Sequence, residues 1–256
     1  MNIYVCVKHV PDTAATIRIN ADGSIDENIT FIMNPYDENA VEAAVRLKKQ
    51  MADAEVIAVT LGKETAEATL RSALAMGADR GILITSTASH DSIATARALC
   101  AAIKADGALD IVFMGKESID HEGFQTMYRL GACLDCPVVS NALEFSMTER
   151  SVRVTCEMES GDLEHITMET PCVIGAGKDL NQPSYPKLPD ILKARKKPLS
   201  ITALADLEMD MPASRVEMIS MEALNEERQP KIIDGSADEI VDAIVEILRD
   251  KAKVVD

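Results

Sequence analysis

Residues 115–126 read GKESIDHEGFQT. The stretch combines two glycines, Lys116, the carboxylates of Glu117, Asp120 and Glu122, His121, and a Gln125–Thr126 pair in front of MYRLGACL. Glycines let a backbone approach a ligand closely. Gln125 and Thr126 at a helix start would offer free backbone N–H groups, and such groups hold phosphate without any Walker sequence. The alternative is an ordinary capped helix behind a polar loop. The GxxxxGK[ST] and GxGxxG fingerprints are absent. Cys133 and Cys136 form a lone CxxC. A zinc site wants a second pair at metal spacing and none is present, so the two are expected to pack at a helix end. His9, His90, His121 and His165 lie far apart in the chain. His9 and His121 fall on two candidate ligand loops and could meet, although a solvated or structural role suits each as well. No serine occupies a nucleophile elbow. Four tyrosines, four phenylalanines and no tryptophan are too few for a base-stacking surface.

These residues must be positioned by the elements around them. NIYVCV (2–7) is expected as a buried strand, and residues 16–30 as a hairpin turning at Ala21-Asp22-Gly23. NPYDENAVEAAVRLKKQ predicts a helix, with Asp37 and Glu38 in its first turn and Lys48 and Lys49 in its last, as the helix dipole favours. Strand EVIAVTLG, helix ETAEATLRSALAM closed by Gly77, strand GILIT, helix SIATARALCAAIKA and strand DIVFMG follow. The apolar strands do not alternate, so both faces are expected to be covered. The fold class is α/β, with a doubly wound, mostly parallel sheet. Beyond about residue 138, Val152, Val154, Cys156 and Met158 alternate with polar residues, and turn signals stand at 148–150 and 160–162, which predicts an antiparallel β portion. No strong strand is expected after residue 198. Ile240, Ile244 and Leu248 mark an amphipathic helix in a C-terminal arm, residues 200–256. In an open α/β sheet, ligands bind beyond the carboxyl ends of the strands. That selects the loops Lys8–Thr13, Gly62 with its neighbours, and Gly115–Thr126.

Composition narrows the function classes. The chain has 256 residues and a formal net charge of −16. No broad basic face could neutralise a nucleic-acid backbone. No apolar run is long enough to span a membrane, and MNIYVCVKHV does not look like a signal peptide. Six cysteines are scattered through the chain, several within apolar runs. A reducing, cytoplasmic setting is the simplest expectation.

Five stretches, in order, carry a resemblance: VCVKHVPDT, MNPYDENAVEAAVRLK, LRSALAMGADRGI, GKESIDHEGFQT and LNQPSYPKLPDILKARKK. Together they resemble the beta subunit of electron transfer flavoprotein, over residues 2 to about 200. The resemblance implies an adenine-nucleotide-binding α/β domain (adenine nucleotide alpha hydrolase-like) over 1–199, with a recognition loop at 180–197 and an arm at 200–256 packing on an alpha subunit. It implies AMP in this subunit and a redox FAD shared with or held by the alpha subunit. Carried over residue by residue, the nucleotide site comprises Cys6, Asn34, Pro35, Tyr36, Asp37, Leu61 and the loop Gly115, Lys116, Glu117, Ser118, Ile119, Asp120, His121, Glu122, Gly123, Phe124, Gln125 and Thr126. Gln125 and Thr126 match the phosphate-binding end, and Tyr36 an aromatic position facing the isoalloxazine ring of the alpha-side FAD. Phe124 departs from the pattern: housekeeping members carry asparagine there, so phosphate binding would lean more on backbone N–H groups.

The resemblance also assigns the loop. Leu188 matches the leucine that enters an apolar pocket of a partner acyl-CoA dehydrogenase, flanked by Tyr185 and Ile191, with a basic rim at Lys193–Lys197. Prolines 183, 186 and 189 limit the unfolded freedom of the loop, so less entropy is lost on docking. The implied role is that of an electron carrier rather than an enzyme, passing electrons to a quinone-linked oxidoreductase. KHVPDT resembles instead the bifurcating branch, in which a second FAD replaces AMP and oxidises NADH. A stand-alone adenine-nucleotide-sensing module is a third possibility, against which the arm and the recognition loop speak.

Overall fold

A computed structural model describes residues 1–210, 216, 218–222, 230, 232–251 and 253–254. The first segment alternates strand and helix: β1 (Asn2–Cys6), β2 (His9–Pro11), β3 (Phe31–Met33), α1 (Pro35–Gln50), β4 (Glu55–Gly62), α2 (Glu67–Met76), β5 (Arg80–Thr85), α3 (Ser92–Asp106), β6 (Ile111–Gly115) and α4 (Thr126–Leu134). Strands β7 (Val138–Thr148), β8 (Ser151–Glu157), β9 (Leu163–Glu169) and β10 (Cys172–Ala176) follow. Then come α5 (Leu188–Ala194), β11 (Leu199–Ala203) and α6 (Ala237–Glu246).

One sheet of nine strands runs β11-β5-β4-β1-β6-β10-β7-β8-β9. It is parallel from β11 to the start of β7 and antiparallel across β7, β8 and β9. Side chains alternate between two apolar layers. Ile3, Val5, Ile111 and Phe113 face α1 and α2, packing with Val41, Leu47, Leu70 and Leu74. Tyr4, Cys6, Val112 and Met114 face the other way, toward Leu99, Ile103, Met127 and Leu130 of α3 and α4. Burial on both faces is why these strands read as continuous apolar runs. Phe113 is fully buried, so its truncation to alanine is expected to cost about 3–5 kcal/mol.

Three expectations change. Cys172–Ala176, fully buried, does not extend the antiparallel ribbon; it returns to the centre of the sheet, parallel to β6 and to the start of β7. A strand does exist after residue 198: Leu199–Ala203 pairs with β5 in parallel, Leu199 opposite Gly81 and Ala203 opposite Thr85. The hairpin at 16–30 keeps its turn, with Gly23 N–H donating to Asn20 O at 2.9 Å, but only one strand pairing, Ile19 with Ile25. The arm helix is present from Ala237, opened by a capping box between Ser236 and Glu239. Its expected end at residues 252 and 255 lies outside the described residues.

Candidate functional site

The connection from β1 leads to α1 on one face of the sheet, and that from β6 leads to α4 on the other. Adjacent strands whose chains leave in opposite directions open a crevice at their carboxyl ends. Here Cys6 pairs with Val59 and Met114 as neighbours across β4, β1 and β6. The register therefore brings Cys6, Leu61 and Gly115 to adjacent strand ends. Cys6 is buried, and burial pushes its thiol pKa up, so it serves as an apolar floor and not as a nucleophile.

Asn34 and Asp37, at the start of α1, lock the crevice. Asn34 sits at the cap position of α1, with Pro35 next, yet its side chain does not cap its own helix. Its amide donates to Glu117 O at 2.9 Å and accepts from Ile119 N–H at 3.2 Å. Asp37 stands in the first turn of α1, as its spacing predicts, and its side chain is buried and turned inward. Its carboxylate accepts from Lys8 N–H at 2.7 Å and Gly115 N–H at 2.9 Å. Burial raises its pKa to about 7, against the lowering effect of hydrogen bonds from Asn34, Lys8 and Gly115. Gly115 must be glycine: a Cβ there would collide with the Asp37 carboxylate and with Tyr36 Cβ.

The loop 116–125 folds over these anchors. Glu122 and Phe124 have φ of 46° and 50°, left-handed values uncommon for such residues. No side chain caps the start of α4 at Gln125, whose own side chain is engaged by Arg129. A helix start without a side-chain cap can offer its first-turn N–H groups to an anion. Lys116 Nζ lies 5.5 Å from the centre of the Tyr36 ring and 5.9 Å from that of Phe124. The Phe124 ring meets Tyr128 edge-on. The Tyr36 hydroxyl pKa is raised by burial and by the neighbouring Glu117 carboxylate.

His9 and His121 do not meet. His9 Nδ1 is 2.8 Å from Thr69 Oγ1, and its ring stacks on Phe31, where burial lowers its pKa. His121 Nδ1 lies 3.0 Å from Asp120 and 3.2 Å from Lys8 Nζ. Lys8, on a loop that the strand pattern marks but a residue it does not single out, also reaches Asp120 at 2.7 Å and Ser118 at 3.1 Å. Cys133 and Cys136 are half-buried at the end of α4, against the α3 layer. Among the described residues, no group of three or more His, Cys, Asp or Glu side chains could hold a metal ion. An open cleft of about 820 Å³ lies at the ends of β4, β5 and β11, lined by Lys63, Ser86, His90 and Leu204 among others.

The residues expected to form a recognition loop are exposed. Tyr185 is 93% exposed, Leu188 69% and Ile191 42%. Leu188 does not fold back on its own domain. The stretch before it is tied down: Arg46 donates to Gln182 O at 3.1 Å, and Ser184 N–H to Glu42 Oε2 at 3.1 Å. Behind it, Arg71 holds Ala194 O and Lys197 O at 3.0 and 2.9 Å. The expected basic rim loses one member. Lys197 turns inward and donates to Leu74 O at 2.9 Å and Ala78 O at 2.5 Å, at the end of α2. Lys193, Arg195 and Lys196 remain exposed.

Fold and site together define a doubly wound α/β protein with an anchored polar loop at its topological switch point. Comparison with known proteins gives the family. The family model for the electron transfer flavoprotein domain matches residues 22–207. The chain is 34% identical over 256 residues to an electron transfer flavoprotein subunit beta of Dictyostelium discoideum, covering 99% of both chains. It is 33% identical over 260 residues to that of Bacillus subtilis, covering 100% of both. With that of Mus musculus it shares 37% identity over 228 residues, covering 87% of this chain and 88% of the relative. The chain belongs to the electron transfer flavoprotein family, among its beta subunits. Membership associates it with flavin chemistry, and the beta-subunit designation with an alpha-subunit partner. No helix among the described residues is long and apolar enough to cross a membrane.

Proposed function

We propose that this chain is the beta subunit of a cytoplasmic, heterodimeric electron transfer flavoprotein that carries electrons without being an enzyme itself. It takes them from an acyl-CoA dehydrogenase-type flavoenzyme and delivers them to a quinone-linked acceptor. AMP occupies the switch-point crevice, and FAD is held chiefly by the alpha subunit. The observation that supports this reading is that β4, β1 and β6 end side by side, with Asp37 bonded to the strand exits at Lys8 and Gly115 and Asn34 bonded to the loop at Glu117 and Ile119. The donor set fits AMP: buried Cys6 and half-buried Leu61 offer an apolar floor for a base, and the uncapped start of α4 offers N–H groups to a phosphate. Bound there, the nucleotide supplies no redox chemistry; it completes the fold of the loop.

The protein's own residues would do the rest. Tyr36, held beside Lys116 at the rim, offers an aromatic face to a flavin approaching from the alpha subunit. Leu188, the first residue of α5, offers an apolar anchor on a segment with little freedom to lose, which suits a small, transient interface. Exposed Lys193, Arg195 and Lys196 raise the encounter rate with an acidic surface. The arm beyond β11, with Val241 and Ile244 of α6 exposed, packs on the alpha subunit.

The test is to co-purify the chain with its alpha subunit, denature the complex in acid and count the released nucleotides. One FAD and one AMP per heterodimer support this reading. Two FAD and no AMP replace it with the bifurcating one, in which this subunit oxidises NADH.

A further inference from the structure

The loop that would receive the phosphate is itself acidic. Between Gly115 and Thr126 stand Glu117, Asp120 and Glu122 against Lys116, with His121 between. A dianionic phosphate brought to the start of α4 would meet like charge. Lys116 offsets Glu117 only loosely, at 3.7 Å. The compensation for Asp120 comes from across the crevice. Lys8, on the exit of β1, places Nζ 2.7 Å from Asp120 Oδ1, 3.1 Å from Ser118 Oγ and 3.2 Å from His121 Nδ1. Its backbone is fixed as well, because its N–H donates to Asp37. The ammonium is therefore delivered from a rigid root to the tip of the loop.

We propose that Lys8 is the charge-balancing and positioning residue of the nucleotide site, offsetting Asp120 and holding the 118–121 turn so that an acidic loop can accept a phosphate monoester. The assignment rests on the reading that the crevice binds AMP. It concerns the phosphate and not the base, because every Lys8 side-chain contact is to the loop tip. Asp120 is held well below the usual carboxylate range: burial works against its charge, but His121, Lys8 and Ser118 outweigh it. It therefore stays ionised at neutral pH, and its charge needs an answer.

The experiment titrates AMP, and separately adenosine, into the nucleotide-depleted heterodimer. Lys8→Gln is expected to weaken AMP about tenfold or more at low ionic strength, less at high salt, and to leave adenosine within about twofold. Lys8→Arg should recover most of the loss. The pair Lys8→Gln/Asp120→Asn should restore AMP binding, because the uncompensated charge is gone. Equal losses of AMP and adenosine, or no rescue by Asp120→Asn in a folded double variant, overturn the assignment. Unchanged AMP affinity in Lys8→Gln overturns it while sparing the AMP reading. Wild-type heterodimer that binds neither compound overturns both.

Discussion

The backbone N–H of Gly115 donates to the buried carboxylate of Asp37 across 78 residues of sequence, at 2.9 Å. The other carboxylate oxygen takes Lys8 N–H at 2.7 Å. One side chain at the start of α1 thus staples the exits of β1 and β6, the two strands that flank the crevice. The hydrogen bonds favour its charged form, but burial is the larger effect and raises its pKa to about 7.

A folded-state pKa above the unfolded value means that Asp37 stabilises the fold fully at pH below about 4 and progressively less as pH rises through 7. Asp37→Asn does not titrate, although it faces two N–H donors with an amide and so costs about 1–3 kcal/mol. The stability difference between wild type and Asp37→Asn should shrink from pH 5 to pH 8, by on the order of a few kcal/mol. Denaturant unfolding at both pH values measures it. A constant difference would show that Asp37 is ionised throughout.

Phe124 pays for a left-handed backbone at φ 50°. That conformation costs a non-glycine residue roughly 1–2 kcal/mol, and asparagine adopts it more readily. Phe124→Asn relieves this but forfeits the edge contact with Tyr128, worth about 0.5–1.5 kcal/mol. The two nearly cancel, so the unfolding free energy should move by less than about 1 kcal/mol. AMP affinity should rise several-fold, because the new amide adds a donor beside the uncapped start of α4. Calorimetry of both quantities decides it, and a weaker AMP complex would contradict the expectation.

Leu188 is 69% exposed, so truncation leaves the core intact. Leu188→Ala should keep its melting temperature and nucleotide content while electron transfer from an acyl-CoA dehydrogenase slows about tenfold or more. Stopped-flow reduction by the dehydrogenase is the measurement. Unchanged kinetics would remove Leu188 from the interface.

Lys197 and its basic neighbours should separate cleanly. Lys197→Met loses bonds to Leu74 O and Ala78 O and should cost about 1–2 kcal/mol of stability without altering the salt dependence of docking. Replacing Lys193, Arg195 and Lys196 with glutamine should do the reverse: stability held, with association slower at low ionic strength. Melting curves and association rates at two salt concentrations distinguish the roles.

Much of the architecture was legible locally. The apolar runs of β1, β4, β5 and β6, the helical spacing between them and Gly77 at the end of α2 give the alternation of strand and helix along the first half of the chain. The quoted motifs carry the family. What escaped is what depends on distant pairing. Cys172–Ala176 reads as one more piece of an antiparallel ribbon until the sheet centre claims it. Leu199–Ala203 is too short and mixed to declare itself without β5 beside it. His9 and His121 share a plausible address in the sequence and separate partners in space.

The sequence by itself determined the alternation of elements, the acidic character and the kinship, because periodicity, charge and motif are properties of neighbouring residues. Only the tertiary structure decided that Asp37 faces inward, that Lys197 seals a helix end, and that Lys8 answers Asp120 across 112 positions. The physical reason is the same in each case. A charged side chain settles where hydrogen bonds and opposite charges offset the hydration it loses on burial, and those partners are brought to it by the packing of the whole sheet.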